Sequence, residues 1–270
     1  MKRKALSAVK YLFLTIVALF SVFPLYYMVV SCTNTSVDIL GARLVPGSHL
    51  GENMRKLLDT TTFVLCMKNS IKCSVIGTLI SVAVCSVAGY AFEIYHDKAK
   101  DLVMSILLLS IMVPVAATLI PLFTLFGKLN LLSTTIGFVL PFASTAFLIL
   151  LFRQNSRAFP LEIIDSARID GLNELQIFIK MYLPIMKPVF ATAVIVSFMH
   201  IWNDYLWALV VMRTDDSRTL PLLLSSLTDA YAVDYGLLML LATLATLPLA
   251  VIFFCLQKNF TEGITGSVKG

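Results

Sequence analysis

Apolar residues in this chain gather into six long runs, at positions 11–30, 71–92, 102–126, 131–152, 189–211 and 237–256. A helix rises 1.5 Å per residue, so a run of about 20 residues crosses the roughly 30 Å hydrocarbon layer of a bilayer. The pattern predicts an all-α polytopic membrane protein with six transmembrane helices. Pro114 and Pro121 interrupt the third run. They predict a kink or break there, which lipid permits only where neighbouring helices satisfy the freed carbonyls. Residues 31–68 are polar and broken by Gly41, Pro46, Gly47 and Gly51, and read as an external loop with a short helix near 53–58. Residues 212–235 read as a second external loop, 93–101 as a short charged turn, and 257–270 as a short tail. Val29-Val30-Ser31-Cys32 resembles a lipoprotein cleavage site. The apolar run before it is longer than a signal core, so it reads as a retained span. The expected organisation is a first span with its external loop (1–68), a core of five spans (69–257) carrying a polar loop at 153–188, and the tail (258–270).

Within that loop, residues 159–184 (FPLEIIDSARIDGLNELQIFIKMYLP) form a polar island. Pro160 suits a first helical turn, where its missing N–H would have no partner. Leu161, Ile163, Ile164 and Ala167 then share one arc, while Glu162, Asp165, Ser166 and Ile169 share the opposite face. Asp170-Gly171 closes this short helix, because glycine takes the left-handed conformation without penalty. Asn173 and Gln176 are spaced as a capping box for a second helix, with Leu175, Phe178, Ile179 and Tyr182 as its apolar stripe and Pro184 as its end. The spacing fits a helix pair that lies on a membrane and offers its tip to a partner; it fits an ordinary amphipathic surface helix equally well.

Composition agrees with the run pattern. Charged residues make up 14% of the chain and mean hydropathy is +0.87, against roughly 25% charged in a soluble domain. The five cysteines show no C-x-x-C spacing and read as small core residues. Lys and Arg number 13 in segments 1–10, 93–101, 153–188 and 257–270, against 8 in 31–72, 124–133 and 212–235. This bias places both termini, and the 159–184 island, in the cytoplasm. The net charge of +5 is that of a membrane protein with basic cytoplasmic edges and does not call for nucleic acid.

No G-x-x-x-x-G-K-[ST], H-E-x-x-H or G-x-S-x-G occurs, and His49, His96 and His200 are scattered. The expectation is a chain with no catalytic constellation, no metal and no cofactor of its own. One polar cluster interrupts the fifth run: Trp202, Asn203, Asp204, Tyr205 and Trp207. An ionisable residue there is a candidate for lining a pathway. The competing reading makes the tryptophans interfacial anchors and leaves Asp204 in water.

The island also resembles the cytoplasmic signature of ABC-importer permease subunits. Asp165-Ser166-Ala167 stand for its E-A-A triplet, Gly171 follows four residues on, and Met181-Tyr182-Leu183-Pro184 stand for I-x-L-P. The departures are Glu to Asp, Ala to Ser and Ile to Met. From about Lys68 onward the chain is similar to the carbohydrate-uptake branch, the second membrane subunit of maltose-type importers. The residues concerned are Asn69-Ser70, Gly89-Tyr90-Ala91-Phe92, Met112-Val113-Pro114, Pro121-Leu122-Phe123, Leu129-Asn130-Leu131-Leu132 and Trp202-Asn203-Asp204-Tyr205-Leu206-Trp207. The ending Gln257-Lys258-Asn259-Phe260 with Gly263-Ile264-Thr265-Gly266-Ser267-Val268-Lys269-Gly270 completes the likeness.

The resemblance implies a type I ABC importer permease in the bacterial cytoplasmic membrane that takes up an oligosaccharide or related carbohydrate. It implies a second permease subunit, two ATPase subunits that use the ATP, and an extracytoplasmic sugar-binding protein. Glu162, Asp165, Ser166, Ala167, Asp170, Gly171, Leu183 and Pro184 would couple to the ATPase through residues 161–170. Trp202, Asn203, Asp204 and Trp207 would be pathway candidates, although such relatives hold sugar mainly through the partner permease. The 212–235 loop would reach into the binding protein. A permease for a polyol or glycerol phosphate is the alternative. A self-sufficient secondary transporter would need a carboxylate deep in a span and inverted repeats, and neither is found.

Overall fold

The computed structural model describes residues 2–60, 62–228 and 233–265, and among these every regular element is helical. In chain order the α-helices are α1 (Lys2–Ser31), α2 (Ser36–Leu40), α3 (Leu50–Asp59), α4 (Phe63–Ile94), α5 (Lys98–Ser110), α6 (Val115–Lys128), α7 (Thr135–Val139) and α8 (Ala146–Ser156). There follow α9 (Leu161–Ile169), α10 (Glu174–Ile177), α11 (Leu183–Ile185), α12 (Lys187–Trp202), α13 (Leu206–Val211), α14 (Leu220–Thr228) and α15 (Tyr235–Thr265). Single helices long and apolar enough to cross a membrane lie at Val9–Ser31, Phe63–Ile94 and Tyr235–Lys258. Three bent pairs supply the others: Lys98–Ser110 with Val115–Lys128 at 100°, Thr135–Phe142 with Ala146–Ser156 at 46°, and Glu174–Ile185 with Lys187–Trp202 at 85°. Counting each pair once gives six spans.

The third run breaks where proline predicted it. Pro114 stands in extended conformation ahead of α6, whereas Pro121 is accommodated inside that helix. The fourth and fifth runs, expected to be continuous, are broken too. Pro141 sits in a 3₁₀ turn at Leu140–Phe142, and the chain restarts as α8 after Thr145, whose hydroxyl caps Leu148 N–H. The buried Cys85 thiol closes this gap: it lies 3.8 Å from the Thr145 carbonyl and 4.0 Å from that of Ala143, and Thr145 N–H donates to its sulfur at 3.5 Å. The fifth run stops at Trp202 and resumes at Leu206. At the other end the helix of the last run extends to Thr265, past the tail expected from 257; residues 266–270 of the ending motif lie outside the described residues. The loop expected at 212–235 holds the helix α14.

Contacts divide the chain into two compact units, one of residues up to Val64 with Leu223–Pro248, the other of Leu65–Leu222 with the residues from Leu249. In the first, Asn53 Nδ2 donates to the carbonyls of Cys32 and Asn34, and Lys56 Nζ pairs with Asp234 at 3.1 Å. Burial raises the Asp234 carboxyl, but the Leu237 N–H and Lys56 outweigh it and hold the group below its ordinary value. The segment between α1 and α4 thereby folds onto the head of α15.

In the second unit α4 packs directly on α8. A methyl at Gly89 would overlap Phe152 Cβ and come within 2.9 Å of Arg153 N and Ile149 O, so only glycine allows this approach. Where these helices end, Arg153 is 6% exposed; its Nε donates to Glu93 at 3.2 Å and its Nη2 to Asp101. One buried guanidinium ties α4, α5 and α8 together. A buried cation is tolerated only when paired in this way.

Candidate functional site

The 159–184 island forms the expected helix, turn and helix. Pro160 is the residue ahead of α9 and does not enter its first turn. Ile164 and Ala167 are buried, while Leu161, Glu162, Asp165, Ser166, Ile169 and Asp170 are exposed. The face offered outward is therefore acidic with an apolar edge, since Ile169 is 86% exposed. Gly171 sits at φ +81°, in the left-handed region. Its N–H donates to the Arg168 carbonyl and the Leu172 N–H donates to that of Ala167, both at 3.0 Å. These two bonds are a Schellman closure, and Leu172 packs into the core that also holds Ala167. The capping box forms as expected: Asn173 Oδ1 accepts from Gln176 N–H at 2.9 Å, and Gln176 Oε1 accepts from Asn173 N–H at 3.0 Å.

Beyond Ile177 the stripe departs from the expected register. Residues Phe178–Tyr182 make a π-helical turn, which shifts the buried face by one position. Ile177 and Tyr182 are fully buried, whereas Leu175 and Ile179, expected on the apolar stripe, are exposed. Pro184 does not end the helical path either; α11 continues through Ile185.

Tyr182 is the hub beneath the site. Its ring stacks on Phe178 at 5.2 Å and meets Tyr90 at 4.8 Å and Phe159 at 5.4 Å, and its hydroxyl lies 2.7 Å from Ser156 Oγ. The helix pair thus rests on side chains of α4, α8 and α12. A polar clasp fixes its upper edge. Arg168 Nε donates to Glu174 at 2.9 Å, and its guanidinium carbon lies 6.0 Å from the Tyr95 ring centre. The Arg168 hydrogen bond, with help from Tyr95, holds the Glu174 carboxyl below its ordinary value. Arg168 is driven further above its already high value by the same carboxylate. Burial, then Glu174, pushes the Tyr95 hydroxyl up.

The eight coupling candidates separate in space. Glu162, Asp165, Ser166, Asp170 and Gly171 share the exposed helix and its turn; Ala167 is inside, and Leu183 and Pro184 belong to the exposed segment leading to α12. Sequence reasoning did not single out Arg153, Arg168 or Tyr95. The only signal available was a lone arginine at the end of an apolar run with Glu93 and Asp101 on the preceding turn.

The pathway candidates occupy the break in the fifth run. Trp202 is 3% exposed and stacks on Phe198; Trp207 is 4% exposed, and its Nε1 donates to the carbonyls of Gly137 at 3.3 Å and Phe138 at 3.1 Å. Asp204 Oδ1 accepts from the N–H groups of Trp207 and Ala208, both at 3.1 Å, and so caps α13. Asn203 is exposed, with its Nδ2 donating to the Met199 carbonyl.

Three long apolar helices and three bent pairs, with a capped helix pair leading into one of them, define a polytopic all-helical membrane protein. The family described as "binding-protein-dependent transport system inner membrane component" matches residues 85–266, and the chain belongs to that family. It is 41% identical over 269 residues to the lactose transport system permease protein of Rhizobium radiobacter, covering 100% of this chain and 98% of the relative. It is 31% identical to the arabinooligosaccharides transport system permease protein of Bacillus subtilis, with 96% and 94% covered. A chain in the crystal structure of a bacterial ABC transporter that imports the acidic polysaccharide alginate has the same fold, at TM-score 0.84 and 23% identity over 96% of this chain and 98% of that one.

Proposed function

We propose that this chain is the carbohydrate-translocating permease subunit of an ATP-driven importer and that α9 is its coupling helix. It forms half of a pathway with a second, different permease subunit. Two ATPase subunits sit below and a sugar-binding protein delivers from outside; the termini and the α9–α10 pair face the cytoplasm. The observation that carries this reading is the construction of α9. The Schellman turn, the capping box and the buried Tyr182 cluster make the pair a stiff unit, while its acidic face and Ile169 stay free for a cleft in the ATPase. Closure of the ATPase pair displaces α9, and the load passes through Tyr182 and Ala167 to α4, α8 and α12. The lactose and arabinooligosaccharide relatives support an oligosaccharide as cargo, ahead of a polyol or glycerol phosphate.

Ser166→Cys in the assembled importer is the test. A thiol at this exposed position should crosslink to the ATPase subunit, and in intact cells it should resist a membrane-impermeant maleimide. Labelling from outside the cell would place the helix pair on the wrong side and end the assignment.

A further inference from the structure

The break in the fourth span opens a cavity of about 210 Å³ at the depth of the apolar runs. An engineered cavity of about 150 Å³ holds a six-membered carbon ring, so this volume admits one sugar ring. Phe142, Thr145 and Phe147 line it from the broken span, Ser197 and His200 from α12, and Ser81 from α4. Ser81 is wholly buried, and its hydroxyl has no hydrogen-bond partner among the described residues. The carbonyls freed by the break do not use that hydroxyl, because Cys85 lies beside them. Phe147, at 53% exposed, and His200 stand at the open rim, and the Phe142 and His200 rings meet edge to face at 5.3 Å. Irregular backbone at membrane depth is tolerated where it lines a cavity. A buried hydroxyl without a partner is a standing cost that a solute hydroxyl removes.

We propose that this cavity is a carbohydrate subsite in this subunit, with Ser81 and His200 meeting hydroxyl groups and Phe142 and Phe147 meeting the apolar face of one sugar ring. The assignment rests on the importer reading above and adds a direct contact between this subunit and the cargo. It does not involve the Trp202–Trp207 cluster, whose indoles are committed to packing.

The test uses the complete importer in membrane vesicles with lactose as probe. Lactose uptake by the unmodified importer tests the parent reading alone. His200→Cys, in a chain whose exposed Cys255 is replaced by serine, places a reachable thiol at the rim of the cavity among cysteines that are otherwise buried. During lactose turnover, labelling of the introduced thiol by a small methanethiosulfonate should fall at least about threefold. Ser81→Ala should slow uptake about threefold to tenfold, the scale of one neutral hydrogen bond, and Ser81→Thr should restore most of it. Normal lactose uptake with an unshielded thiol, or an unslowed Ser81→Ala, overturns the subsite and leaves the importer reading standing. An unmodified importer that takes up neither lactose nor an arabino-oligosaccharide overturns both. The labelling arm decides the matter even where Ser81→Ala fails to assemble.

Discussion

Gly171→Val isolates the turn that makes α9 a lever. A side chain here would meet nothing within 4 Å, so the substitution acts on the backbone alone. At φ +81° an L-residue is destabilised by about 1–2 kcal/mol, and a β-branched one by more. The turn escapes that strain by leaving the left-handed region, and then both closure bonds, Gly171 N–H to Arg168 and Leu172 N–H to Ala167, are lost. Each is worth a net contribution of about 1 kcal/mol, so either route costs about 2 kcal/mol. That is too little to unfold a six-span protein held by its own core. It is enough to raise the population of a frayed α9 about thirtyfold, since 1.4 kcal/mol is a factor of ten. Gly171→Asn, which tolerates the left-handed region, should cost markedly less. The expected result is normal insertion for both variants, with amide exchange accelerated across residues 161–177 and sugar-stimulated ATP hydrolysis lost in the valine variant only. Equal coupling by glycine and valine, in vesicles of matched subunit content, would refute the lever.

Three further outcomes follow from the packing around the site. Arg153→Met removes the buried cation that Glu93 and Asp101 share, leaving Glu93 with the exposed Arg157 and Asp101 with His96, and should destabilise the protein by about 2 kcal/mol, read as a lower midpoint in detergent; adding Glu93→Gln should recover part of it. Gly89→Ala forces a methyl against the α8 backbone and should cost about 1–3 kcal/mol in the same assay, whereas Gly51→Ala, at an exposed helical position with open space, should not destabilise. The Arg168–Glu174 clasp should respond to acid: a carboxyl held below its ordinary value contributes fully above the unfolded value near 4.5, and that contribution disappears as pH falls through the lower folded value. Protection of the amides at residues 168–176, relative to their unfolded exchange rates, should therefore decline as pH falls below the ordinary carboxyl value in the parent and not in Glu174→Gln.

Local chemistry made much of this protein legible from its residues. Run length set the number of spans, because the hydrocarbon thickness fixes how many apolar residues a helix needs. Pro114 marked its break, and Gly171, Asn173 and Gln176 marked their turn and caps, because each acts on a backbone group within four residues of itself. Three features were decided only by tertiary structure. The break at residues 143–145 needs a Cys85 thiol 60 residues away to be affordable. The π turn at Phe178–Tyr182 is chosen so that Tyr182 reaches Ser156 and the aromatic cluster. The roles of Arg153 and Ser81 depend on which carboxylates, or which empty space, the folded helices bring beside them. An apolar run looks the same to lipid and to protein neighbours, so its composition reports that it is out of water and does not report which face meets a cavity, a helix or the bilayer.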